Sequence, residues 1–125
     1  MYELPVEEFE RVVAEAVEAL PPEFRERIAN LDVGVEDWAA PDDYARTGSP
    51  RGSMLLGVYR GIPLSRRGSG YHMTLPDRIV VFRGPLQQLA VSQFDLEERI
   101  AHVVRHEVAH YFGISDDRLR EIDAY

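Results

Sequence analysis

A chain of 125 residues with 22 acidic side chains, 14 basic ones and no cysteine has the size of a single domain, residues 1–125, built on one core. Its formal charge of −8 disfavours a nucleic-acid partner or a membrane surface, since both select for clustered positive charge. Without thiols there is no disulfide framework, no thiolate nucleophile and no cysteine-ligated zinc, so any metal site has to come from His, Asp and Glu.

Residues 5–20 place Val6, Phe9, Val12, Val13, Ala16, Val17 and Leu20 at helical spacing, with Pro5 tolerated in the first turn and acidic residues near the positive end of the dipole. Acidic residues run through this apolar stretch and no basic start precedes it, so neither a signal peptide nor a membrane span is expected, and a cytoplasmic protein is. Pro21 and Pro22 interrupt the helix, and residues 23–29 predict a short second one around Phe24 and Ile28. The alternation of Leu31, Val33 and Val35 predicts a strand within 31–38. Residues 39–52, rich in Pro, Asp, Gly, Ser and Thr, predict a surface loop. A second strand is predicted over 53–60, a long connection over 61–74, and a third strand over 78–83 around Ile79-Val80-Val81-Phe82. Gly84-Pro85 ends that strand, and 86–91 predict a short helix.

Asp95 with Glu98 gives a capping-box-like start to a long helix, whose apolar positions from Leu96 to Phe112 run to Gly113. A glycine there can turn left-handed and stop the helix. Residues 116–124 predict a terminal helix capped by Ser115. The pattern predicts an α+β fold, a three- to four-stranded sheet covered by helices on one face.

The long helix contains His106-Glu107-Val108-Ala109-His110, an HExxH sequence. Residues four apart share one helix face, so both imidazoles can point at one ion. Glu107 projects beside them, where a carboxylate can act on a water as general base without being a ligand. From the chain's own composition an accidental HExxH is expected roughly one time in a hundred, and the added glycine and acid lower that by about another factor of a hundred. The full string is HExxHxxGxxD, with Gly113 allowing the chain to reverse so that Asp116, three residues on, returns as third ligand. Two histidines and a carboxylate leave a tetrahedral zinc with one open position.

This string resembles the HExxHxxGxxH of the metzincin clan with Asp in place of the last His. More closely, HEVAHYFGISDDRL and the preceding LPDRI resemble a family of small bacterial minimal zincins, the zincin-like metallopeptidases, most strongly over residues 53–125. The resemblance implies a small sheet packed on helices and zinc-dependent hydrolysis of a peptide or protein substrate. It makes His106, His110 and Asp116 the metal ligands and Glu107 the base, with Asp117 the runner-up to Asp116. Met1, Met54 and Met73 all precede the motif, so the methionine turn that follows it in larger metzincins is not expected. Glu121 is the one candidate for a downstream glutamate ligand. Tyr71, His72 and Tyr111 are candidates for oxyanion stabilisation, and His102, one turn before His106, for a supporting role. Either strand 53–60 or strand 78–83 could align an extended peptide at a sheet edge. The alternative to an enzyme is a metal-binding interaction module with little or no turnover; the alternative to a site is a helix whose polar residues simply face solvent.

Overall fold

The computed structural model describes residues 1–28, 31–61 and 77–114. Helix α1 (Val6–Glu18) begins after Pro5, carries Glu7 and Glu8 in its first turn, and ends before the two prolines. A short α2 (Pro22–Arg25) and a 3₁₀ turn (Glu26–Ile28) lead to β1 (Asp32–Glu36). Helix α3 (Pro41–Thr47), β2 (Gly57–Arg60), β3 (Arg78–Phe82), α4 (Arg83–Leu89) and α5 (Gln93–Tyr111) follow. No helix of the described residues is long and apolar enough to cross a membrane.

The sheet has the order β1-β3-β2, with β1 parallel and β2 antiparallel to β3. The unbroken apolar run of β3 follows from this central position, because a strand covered on both faces has no polar side to show. Ile79 and Val81 face α1 and α5, joining Tyr59, Phe9, Val12, Val13, Leu96, Ile100 and Val104 in the main core. Val80 and Phe82 point the other way and form a smaller cluster with Val58.

Over that second cluster lies a charged lattice. Arg60 donates to both oxygens of Glu36 at 2.9 and 3.0 Å and to both oxygens of Asp43 at 2.9 and 2.8 Å. Asp43 sits in the first turn of α3, where its carboxylate also accepts from the Ala40 N–H at 2.8 Å. Arg78 lies across Gly34, where a Cβ would fall 2.2 Å from its guanidinium, and bridges Asp32 and Glu36. Helices α1 and α5 thus pack on one face of the sheet, as the sequence predicts; on the other, Arg60 and its ion pair with Asp43 of α3 lie beside the smaller cluster.

Several boundaries also differ from the sequence reading. Within the expected loop 39–52 stands α3, which has Pro41 in its first turn and ends at Gly48, at φ 71°. The second strand covers Gly57–Arg60 and not the whole of 53–60. Helix α4 starts at Arg83, ahead of Gly84-Pro85. The cap of α5 is Ser92, whose hydroxyl accepts from the Asp95 N–H at 3.0 Å; Asp95, expected as the cap, instead accepts from Val91 N–H at 3.0 Å. The terminal helix expected over 116–124 lies outside the described residues.

Burial pushes the Asp43 carboxyl up, but the Arg60 hydrogen bonds, the Ala40 N–H and nearby positive charge together hold it below the ordinary carboxylate range. The Arg60 hydrogen bonds do the same for Glu36 against its own burial. A folded-state pKa below the unfolded one contributes stability that is present at neutral pH and lost as pH falls through the folded value. Asp43→Asn is expected to cost on the order of 1–3 kcal/mol at pH 7 and to flatten the loss of stability below about pH 4. Urea titrations across pH check this, and parallel pH profiles for the two proteins would refute it.

Candidate metal centre

Helix α5 buries Leu96, Ile100, Val103, Val104 and Val108 on one side, and presents His102, His106 and His110, all half-buried, along another. The imidazoles of His106 and His110 meet edge to face with centroids 4.4 Å apart; His102 stacks at 6.2 Å from His106. One donor atom each from His106, Glu107 and His110 lies within 4.8 Å of the other two. His102 is not in that group. Two donors on one tetrahedral zinc sit about 3.3 Å apart, so this cluster needs only small side-chain movements to close on an ion, and its imidazole and carboxylate donors suit zinc.

Glu107 is not the solvent-facing residue of an ordinary polar helix side. It is buried, in the stripe that runs from Val103 to Tyr111 and faces β2. A carboxylate so placed is costly unless it is hydrogen-bonded, and its Oε1 lies 3.1 Å from Nδ1 of His110. With a proton on Nδ1 the imidazole donates to Glu107 and keeps the lone pair on Nε2, the form a metal ligand requires.

The close approach of α5 to the sheet depends on Gly57. A Cβ there would stand 2.5 Å from Cγ1 of Val103, 3.1 Å from the Val80 carbonyl oxygen and 3.5 Å from Cγ of Glu107. Sequence reasoning misses this residue, although a lone glycine inside a strand is a known sign of close backbone approach. Two residues on, Tyr59 meets Tyr111 edge-on with centroids 5.6 Å apart. Tyr111, a candidate for oxyanion stabilisation, thus has its ring buried in the core beside Tyr59.

At its far end α5 closes as expected. Gly113 is at φ 81°, its N–H donates to the His110 carbonyl at 2.9 Å, and the Ile114 N–H donates to the Ala109 carbonyl at 2.9 Å. This paired-bond ending turns the chain immediately after the second histidine. Asp116, Asp117, Glu121, Tyr71 and His72 lie outside the described residues. Of the two strands considered as peptide-aligning edges, β3 is excluded because it is paired on both sides; β2, among the described residues, pairs only with β3.

A family model described as zincin-like metallopeptidase matches residues 28–125, which include all of β1 to α5. The chain belongs to the zincin-like metallopeptidase family. Among solved structures, a conserved hypothetical protein from Thermus thermophilus shares the fold at TM-score 0.59 and 23% identity, over 87% of this chain and 94% of that one. No curated protein matches the chain. Within this zincin-like protein the HExxH residues lie inside the matched segment and on the helix nearest β2.

Gly57→Val should destabilise the fold by about 1–3 kcal/mol, despite the higher strand propensity of valine, because β2 and α5 must separate. Chemical denaturation measures this; a change within about 0.5 kcal/mol would contradict the packing argument.

Proposed function

We propose that the protein is a zinc-dependent peptidase, with His106, His110 and Asp116 as metal ligands and Glu107 as general base. The observation that carries this reading is the convergence of His106, Glu107 and His110 donors within 4.8 Å on one helix, in a chain of the zincin-like metallopeptidase family. Zinc bound there supplies Lewis acidity to a water and to the scissile carbonyl. His106 and His110 hold the ion through one ring nitrogen each, and Asp116 completes a site with one open position.

Glu107 takes a proton from the attacking water as the oxygen bonds to the carbonyl carbon. It then delivers that proton to the amine nitrogen as the carbon–nitrogen bond breaks. Its burial removes bulk water from around the carboxylate, which strengthens its interaction with charge that develops nearby. Among the described residues β2 pairs only with β3, and its other side, where a Cβ on Gly57 would meet Glu107, aligns an extended substrate by strand addition. A buried carboxylate in the packed face of α5 favours the enzyme over a metal-binding module, since a purely structural site has no use for a base beside an open position.

The test is cleavage of an unbiased peptide library by zinc-loaded protein. Glu107→Gln is expected to keep its zinc and lose about 10²- to 10⁴-fold in turnover, while His106→Ala loses the zinc as well. Zinc bound with no Glu107-dependent cleavage would assign the protein to the non-catalytic alternative.

A further inference from the structure

Among the described residues β1 is the outer strand on the side of the sheet away from Glu107 and pairs only with β3. The Asp32 N–H donates to the Asp77 carbonyl at 3.3 Å, which sets the phase of the strand. In a parallel pair alternate residues bond to the neighbour, so Asp32, Gly34 and Glu36 turn their main-chain groups toward β3, and Val33 and Val35 turn theirs outward. An exposed row of this kind is a template for another strand.

Along this edge α1 leaves a groove of about 270 Å³. Its lining is mixed: Val13 and Val17 from the helix and Val33 and Val35 from the strand supply the apolar part, and Glu10 and Glu18 are the first and last lining residues along α1. Both glutamates are exposed, and among the described residues neither carboxylate has an ion-pair partner. Their neighbours differ: Glu8 and Glu15 are both held by Arg11, and Asp32 and Glu36 by Arg78. Eight residues of helix rise about 12 Å. Four residues of extended chain advance about 13 Å and return the side chain to the same face. A second copy of this edge is a poor occupant, because it would bring the same glutamates against each other in a chain already at −8.

We propose that the groove between α1 and β1 docks an extended basic segment of a partner protein, added to β1 as a further strand. An apolar side chain of that segment lies between Val17 and Val33, flanked by two cationic side chains four residues apart that pair with Glu10 and Glu18. The groove shares no lining residue with the His106, Glu107 and His110 group, and the inference does not depend on hydrolysis.

The probe is an acetylated heptapeptide amide in which threonine alternates with arginine, valine and arginine, titrated into the full ¹⁵N-labelled chain. Binding is expected with the largest shifts at the Val33 and Val35 amides. The double variant Glu10→Arg, Glu18→Arg should weaken binding at least tenfold and bind instead the peptide carrying glutamate in place of both arginines. N-methylation of the peptide's central valine should weaken binding by a similar factor, and Glu107→Gln should leave it unchanged. Absence of binding, insensitivity to the charge reversal, shifts centred on β2, or self-association that masks Val33 and Val35 would each overturn the proposal.

Discussion

Where α5 meets β2, the space that a side chain at Gly57 would fill is taken by a methyl of Val103, with Glu107 the next group along the helix. That contact decides how the helix is rotated. Once Val103 faces the sheet, Glu107 and Tyr111 follow on the same stripe, and the histidine row at 102, 106 and 110 is carried to the adjoining side. The histidine face and the packing face are thus two outputs of one docking event. A larger residue at 57 would disturb both.

The second constraint is the central strand. Because β3 is buried on both faces, the fold needs two apolar layers from only 125 residues. Helices α1 and α5 provide the large one. The small one rests on Val58, Val80 and Phe82, and is sealed by an arginine whose guanidinium is shared between Asp43 and Glu36. Arginine suits this place better than an apolar cap would on so small a cluster, since its planar fork satisfies two carboxylates at once and its stem covers hydrophobic surface.

What is legible in the sequence is mainly what neighbouring residues decide. The periodicity of α1 and α5, the apolar run of β3, the HExxH spacing and the left-handed Gly113 all follow from contacts within a few positions. Helix α3 is not legible, although Pro41 and Gly48 bracket it, because Asp43 belongs to a clamp whose other half is Arg60, seventeen residues away. Gly57 escapes notice for a related reason: its meaning lies in Val103, a long-range neighbour that no local pattern reveals. The motif spacing puts Glu107 beside the histidines, yet its burial depends on the rotation of α5 against β2. In each case the missing information is tertiary.

The metal centre stands or falls on His106 and His110 sharing one ion. X-ray absorption at the zinc edge of the purified protein reads this without reference to activity. About one zinc per chain is expected, four-coordinate, with two imidazole nitrogens at about 2.0–2.1 Å and oxygen donors completing the shell. An all-oxygen shell, or an unchanged spectrum and zinc content in a protein carrying alanine at both histidines, would contradict it.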